Sequence, residues 1–126
     1  MPIDLLERTL ELPAKSMIVT QPYVDFLTHQ YQLSHNGAHG IEHWLRVLIN
    51  GRLIAAQSGA DIVVVEHFAL LHDVQRQDEH RDIQHGNRAA DFAAACINIL
   101  FIRPRHFRAV SGFACHIGLR QSAIIC

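Results

Sequence analysis

A histidine and an aspartate stand side by side at the end of an apolar stretch, Ala69-Leu70-Leu71-His72-Asp73. We expect this stretch to form a buried helix that carries His72 and Asp73 at its C-terminal end. Burying an ionised carboxylate beside an imidazole is costly unless something compensates. A divalent cation would compensate for both groups, so the pair is a candidate metal site. The alternative is a helix end that water solvates.

Histidine is unusually frequent, with 10 in 126 residues, all of them between His29 and His116. A cluster of histidines and acids on helices favours metal binding. One further candidate ligand, His43, lies in the middle of an expected helix and is followed by Trp44-Leu45-Arg46-Val47. Two expected helices therefore carry candidate ligands.

His43 with Val47 one turn later, followed by a helix ending in Leu71-His72-Asp73, resembles the H…HD arrangement of the HD-domain superfamily of metal-dependent phosphohydrolases. His39, one turn before His43, is similar to a branch with the pattern H-x-x-x-H-x-x-R-V. The resemblance extends over about residues 34–116. It implies an all-helical, HD-like fold and hydrolysis of a phosphate ester or anhydride by metal-activated water.

The resemblance also implies a ligand set. His43, His72 and Asp73 would bind one or two divalent ions, with Mn, Fe, Ni, Co, Zn and Mg as candidates. Asp73 would also be catalytic, because it could orient the attacking water. His39 is expected to contact substrate or to lie behind the ligands.

A second metal is implied by branches of the family that add histidines after the HD pair. His85 and His116 fall in the right order for that role. The alternatives are a polar residue at a helix start for His85 and a partly buried core residue for His116. The family's usual last ligand is a late aspartate, and no acidic residue follows Asp91. We therefore expect either a chain truncated at its C-terminus or a different group that completes the site.

Three arginines are candidates for contacts with a phosphate group, because a guanidinium binds phosphate oxygens as a planar fork. Arg76 trails the metal ligands by three residues, so it is the first choice and a candidate catalytic residue. Arg46 and Arg88 are candidate substrate-binding residues. The alternative for each arginine is a solvated or salt-bridged side chain.

Two other functions stay open. His39-Gly40-Ile41-Glu42-His43 also matches H-x-x-E-H, the inverted zinc-peptidase motif, in which Glu42 would be the general base. The missing late aspartate also fits a degenerate HD domain that binds a nucleotide or a partner protein without hydrolysis.

Composition narrows the partners. A formal net charge of −1 gives no general attraction to nucleic acid or to anionic membranes, and no apolar run is long enough to span a bilayer. The expected partner is a small phosphorylated substrate, such as a nucleotide, and an oligomer stays open. Three cysteines without a CxxC pair favour a reducing cytoplasm over a disulfide framework.

The length suits one domain over residues 1–126. Helical periodicity without alternating strands predicts an all-α fold of five to six helices. We expect Thr20 and Asp61 as N-caps, Ser58-Gly59 as a helix end and a polar loop at Gln77–Asp82. The expected helices are about Asp4–Leu12, a second from Thr20 through Tyr31, about Ala38–Gln57, Asp61 to about Gln75, about His85–Phe101, and Pro104 to about His116.

Overall fold

The computed structural model describes residues 18–96 and 102–112, and these residues fold into helices and connecting loops without a strand. The predicted all-α class is confirmed. The helix expected over Asp4–Leu12 lies outside the described residues. The helices are α1 (Gln21–Gln30), α2 (Ile41–Ser58), α3 (Ile62–Leu71), α4 (His85–Ala95) and α5 (residues 104–112).

The predicted helix caps are present. The Thr20 hydroxyl accepts a hydrogen bond of 3.4 Å from the amide of Tyr23 at the start of α1. The Asp61 carboxylate accepts one of 2.9 Å from the amide of Val63 at the start of α3. Gly59 ends α2 with a φ of 76°, in the left-handed region that glycine adopts without steric cost.

Helix α2 begins later than expected, at Ile41 instead of about Ala38, because the preceding residues form two successive turns. The amide of Gly37 donates to the Ser34 carbonyl and the amide of Gly40 to the Gly37 carbonyl, both at 3.0 Å. A Cβ at Gly40 would overlap the carbonyl of His35, so this loop needs a glycine there.

Helix α3 ends at Leu71, whereas the sequence predicted a helix to about Gln75. The Nδ1 atom of His72 donates to the carbonyls of Phe68 at 3.1 Å and Ala69 at 3.0 Å, so its ring satisfies the last turn of the helix. Tight turns follow. His72 and Asp73 therefore lie just after the end of α3.

The later elements begin where the sequence predicted, but α4 ends at Ala95, before the expected Phe101. The polar loop at Gln77–Asp82 is present, and α4 begins at His85 as expected. Helix α4 ends at Ala95, and residues 97–101 lie outside the described ranges. The helix expected from Pro104 is present over residues 104–112, and its predicted continuation to His116 is also outside them.

The core lies where α1, α2 and α3 meet. Trp44 of α2 is fully buried and packs with Tyr31, Leu70 and Val74 in one cluster. Helices α2 and α3 share the most extensive contact. This contact brings the start of α2 and the end of α3 to the same part of the molecule. Across the described ranges, none of the helices is both long and apolar enough to cross a bilayer.

Candidate metal centre

One oxygen of the Asp73 carboxylate faces three imidazoles. Asp73 Oδ2 lies 3.0 Å from His43 Nε2, 3.2 Å from His72 Nε2 and 3.4 Å from His39 Nδ1. His43 comes from the first turn of α2, His39 from the loop before it, and His72 from the end of α3. Residues that are far apart in the sequence therefore meet at a single atom.

The other oxygen of the carboxylate faces a fourth imidazole and a guanidinium. Asp73 Oδ1 lies 3.4 Å from His85 Nε2, at the start of α4, and 3.4 Å from Arg76 Nε. Burial raises the pKa of Asp73, but hydrogen bonds from His43 and His72 and the positive charge of His72 and Arg76 outweigh it. Together they hold the pKa of this carboxyl far below its usual range. The carboxyl group of Asp73 is therefore ionised at neutral pH.

Part of the cluster is fully buried and part of it is partly exposed to solvent. The side chains of Asp73, Arg76 and His85 are no more than 3% exposed, and His72 is buried as well. The side chains of His39 and His43 are 25% and 26% exposed. Among the described residues of the cluster, these two histidines are the most exposed, and they lie on the side where α2 begins.

The ring nitrogens of His72 and His85 are oriented by backbone carbonyls. His72 Nδ1 donates to the last carbonyls of α3, and His85 Nδ1 donates to the carbonyl of Asp82 at 2.5 Å. Each ring then turns its Nε2 toward Asp73. A neutral ring presents a lone pair there, and a lone pair facing a carboxylate needs a proton or a metal cation between them.

Further contacts point the same way. His43 Nε2 and His72 Nε2 lie 3.2 Å apart, so these two atoms cannot both carry a proton directed at the other. His39 Nδ1 is buried and has no hydrogen-bond partner among the described residues. Ligand atoms about 2.1 Å from one ion are separated by about 3.0–3.4 Å, whether its geometry is octahedral or tetrahedral. The separations of 3.0–3.4 Å around Asp73 Oδ2 match that spacing.

His39, His43 and Asp73 therefore form a cluster that could hold a metal ion, with one ligand atom from each within 4.8 Å of the others. A donor set of imidazole nitrogens and a carboxylate suits first-row transition metals better than Ca²⁺. The sequence assigned His39 to substrate, whereas the structure places it among the candidate ligands. The spacing of His39 and His43 in the H-x-x-E-H match was the signal for this role, although His39 lies before the first residue of α2.

The three candidate arginines occupy different positions. Arg76 is buried, and it donates to Asp73 and, at 2.8 Å, to the carbonyl of Asp78. Arg88 is held by the Asp82 carboxylate and donates to the Gln75 carbonyl at 3.1 Å, so its guanidinium is engaged within the protein. Arg46 is exposed on α2, one turn after His43.

Two candidate second-metal ligands have separate outcomes. His85 reaches Asp73, on the opposite oxygen from the three clustered histidines. His116 lies outside the described residues.

Sequence reasoning missed Glu79 and Asp82, which organise the loop after the His-Asp pair. Their only signal was that they are acids in a polar loop.

Comparison of the chain with protein-family models, with curated proteins and with solved structures finds no match. The chemistry of these side chains therefore carries the functional assignment.

Proposed function

We propose that this protein is a metal-dependent phosphohydrolase of the HD type, which acts on a small phosphorylated molecule such as a nucleotide. The observation that carries the proposal is the convergence of four imidazoles and one guanidinium on the Asp73 carboxylate. In their neutral forms the rings of His72 and His85 direct an Nε2 lone pair at this anion, and a proton or a divalent cation between them would satisfy both groups. His43, His72 and Asp73 are the proposed ligands, with His39 beside them and His85 on the second carboxylate oxygen.

The proposed chemistry divides between the ion and the chain. A bound divalent ion polarises a phosphoryl oxygen and lowers the pKa of water. Asp73 is ionised and faces the ligand nitrogens, so it balances the positive charge of the site and can accept a hydrogen bond from water. Arg76 is buried behind Asp73, which makes it a positioning residue for that carboxylate in this proposal and not a clamp on the substrate.

Access favours a small substrate entering beside α2. His39 and His43 form the exposed side of the cluster. Arg46 lies on the same helix and is exposed, so it is the proposed contact for a phosphate oxygen. Arg88 is assigned a structural role instead, because its guanidinium already binds Asp82. The cysteine pattern favours a cytoplasmic setting for this activity.

The inverted zinc-peptidase function is the second candidate, because the structure brings both histidines of H-x-x-E-H into the cluster. Its general base would be Glu42. Glu42 is exposed, whereas Asp73 is buried and contacts every imidazole of the cluster. The phosphohydrolase proposal accounts for His72, Asp73 and His85 together, and the peptidase motif uses none of these three.

Metal analysis of the purified protein, paired with a phosphatase screen, tests the proposal. We expect bound transition metal, hydrolysis of small phosphorylated compounds that a chelator removes, and recovery on adding one of Mn²⁺, Fe²⁺, Co²⁺, Ni²⁺ or Zn²⁺. A folded protein that binds no metal and hydrolyses no phosphorylated compound would overturn it. Nucleotide binding without metal or hydrolysis would instead identify a degenerate HD domain.

A further inference from the structure

The backbone of His39 is held from both sides. Its amide donates to Glu79 Oε2 at 3.2 Å, and its carbonyl accepts a hydrogen bond of 3.0 Å from the indole nitrogen of Trp44. His39 precedes the first residue of α2, so helical hydrogen bonding does not fix its position. These two contacts, together with the turns between Ser34 and Ile41, fix the backbone from which the His39 imidazole extends.

Glu79 belongs to the loop that follows the His-Asp pair, so its carboxylate connects the two loops that flank the cluster. That loop is itself well ordered by Asp82, whose Oδ2 accepts hydrogen bonds from the amides of Gln77 at 2.6 Å and Asp78 at 3.3 Å. The backbone next to Glu79 is therefore held in place by hydrogen bonds to Asp82.

The fit of Glu79 against the His39 loop is close. A Cβ at Gly37 would overlap Glu79 Oε1 and would lie 3.1 Å from the Ser34 carbonyl oxygen. Glu79 Oε1 is buried, and within the described part of the chain it has no hydrogen-bond partner. A buried acceptor without a partner is energetically unfavourable. The fold tolerates this cost at a position where the other carboxylate oxygen holds a candidate metal ligand.

The charge of Glu79 acts on Tyr31, on which the charge of Asp73 acts as well. Burial first, and then the negative charges of Glu79 and Asp73, raise the pKa of Tyr31 to about 12. Glu79 could therefore affect a bound cation in two ways, by placing His39 or by adding negative charge. The two ways predict different results on substitution.

We propose that Glu79 is a positioning residue: its hydrogen bond to the His39 amide places the His39 imidazole in the metal cluster. The proposal rests on the proposed function for its metal readout. It gives Glu79 a role at the centre although the glutamate contacts neither the ion nor the substrate. It also gives a reason for glycine at position 37, where any side chain would displace the carboxylate.

A double-mutant cycle with His39 tests the proposal, with Zn²⁺ or Co²⁺ affinity measured by competition with a chelating dye. We expect Glu79→Ala to weaken affinity about 10-fold to 100-fold, the range for groups that orient metal ligands. In a His39→Ala background the same substitution should have no further effect, because the two residues act as one unit. An equal loss in both backgrounds would overturn the proposal.

A conservative variant separates position from charge. Glu79→Gln keeps a carbonyl oxygen for the His39 amide and removes the negative charge, so it should retain most of the affinity that Glu79→Ala loses. Gly37→Ala should reproduce part of that loss, because the new methyl group displaces the carboxylate. Asp91→Asn, an exposed acid on α4, is the matched control and should bind like wild type. A Glu79→Gln loss as large as that of Glu79→Ala would assign the effect to charge and reject positioning.

Hydrogen exchange distinguishes failure of this proposal from failure of the proposed function. In metal-free protein the His39 amide should be protected, and Glu79→Ala should remove its protection while the amides of α3 keep theirs. If Glu79→Ala removes the protection of the His39 amide but the wild-type protein binds no metal, the positioning role of Glu79 stands and the metal function is rejected. Unchanged His39 protection in Glu79→Ala would reject positioning even if the metal binds.

Discussion

Two pairs of neighbouring acid and histidine residues lie within seven residues of each other, Glu66-His67 inside α3 and His72-Asp73 just after it. Both pairs are buried, and both place an ionisable acid beside an imidazole. Composition alone does not separate them. Their surroundings do, and the difference shows what makes a buried polar pair structural in one place and a candidate site in the other.

At Glu66-His67 each group has a complementary partner. Arg52 Nε donates to Glu66 Oε1 at 3.3 Å, which sets a positive charge against a negative one. The Tyr23 hydroxyl and His67 Nδ1 lie 2.9 Å apart and form a hydrogen bond, since burial raises the pKa of Tyr23 and its protonated hydroxyl can donate to or accept from the ring. A donor meets an acceptor in both contacts. Nothing in this pair requires a ligand.

At His72-Asp73 the groups do not pair off. One carboxylate faces four imidazoles and a guanidinium, and the buried His39 Nδ1 has no hydrogen-bond partner among the residues described. The exposed sides of His39 and His43 also leave a path from solvent. The convergence of several imidazoles on one carboxylate, together with access from solvent, distinguishes this cluster from the Glu66-His67 pair.

The largest expected effect is on catalysis, from Asp73→Asn. The substitution keeps the shape of the side chain but removes the charge that balances the cation, so metal binding should weaken and hydrolysis should fall by at least about 10⁴-fold. Phosphatase assays at saturating metal measure the loss. Glu42→Gln is the matched control, because Glu42 is exposed and should be dispensable.

The peptidase function predicts the reverse, with Glu42→Gln inactive toward peptides and still metal-bound. Unfolding must be measured for each variant first, because a buried aspartate can affect activity through stability alone. If both variants are folded and fully active as phosphatases, the proposed mechanism is wrong.

The second effect is on stability, from Glu66→Gln. It leaves the buried guanidinium of Arg52 without its countercharge, which should lower the free energy of unfolding by about 3 kcal/mol. Urea denaturation measures this. Metal affinity of the folded variant should be unchanged, because the pair takes no part in the cluster. A stable Glu66→Gln with weakened metal binding would remove the distinction between the two pairs.

The fold was predictable because its signals are local. Thr20 and Asp61 are N-caps, Gly59 ends α2, and apolar periodicity identified the helices between them. The helix bounds at the site were the least accurate. Helix α3 ends four residues before the expected position, where tight turns replace helical hydrogen bonds and the His72 ring contacts the last carbonyls, and such contacts have no periodic signature.

The site was predictable only in its centre. The sequence named His43, His72 and Asp73, and the structure brings them together. It could not place His39 or Glu79, because the Glu79 contact joins two irregular loops whose paths depend on the whole fold. It also could not tell that Asp82 would engage Arg88, since the exact path of the loop after the His-Asp pair decides which acid an arginine meets.

The third effect is a pH dependence of stability that comes from His67. Burial first, and then the charge of His106, lowers the pKa of His67 from 6.5 to about 4. As the pH falls below about 6.5, His67 binds a proton in the unfolded chain but not in the folded protein. The free energy of unfolding is therefore unaffected by this group above pH 6.5 and decreases as the pH falls toward 4. Between pH 7.5 and 5 the loss should be about 2 kcal/mol.

Urea midpoints at the two pH values, compared with those of His67→Gln, isolate the contribution of His67. The glutamine offers a carbonyl oxygen to the Tyr23 hydroxyl and does not titrate, so its stability should change less over this interval. His80→Gln, at an exposed histidine, should behave like wild type. An identical pH dependence in His67→Gln and wild type would show that burial does not hold His67 neutral.

The smallest expected effect is on metal affinity, from a substitution beside Oδ1 of Asp73. It tests whether both carboxylate oxygens take part in metal binding. His85 is the only imidazole on Oδ1 among the described residues, whereas three histidines face Oδ2. His85→Gln keeps an amide N–H for the Asp82 carbonyl but loses the ring nitrogen directed at Asp73. Metal affinity should fall about 10-fold, at the low end for a group near the ligands.

Calorimetric metal titration of folded His85→Gln measures that change, with His80→Gln as the control because His80 is exposed in the same loop. The loss should be smaller than that of Asp73→Asn, since the trio on Oδ2 stays intact. Wild-type affinity would confine the centre to the Oδ2 side and leave His85 as a structural partner of Asp82. A loss as complete as that of Asp73→Asn would instead show that both carboxylate oxygens hold metal, because the Oδ2 ligands alone would then be insufficient.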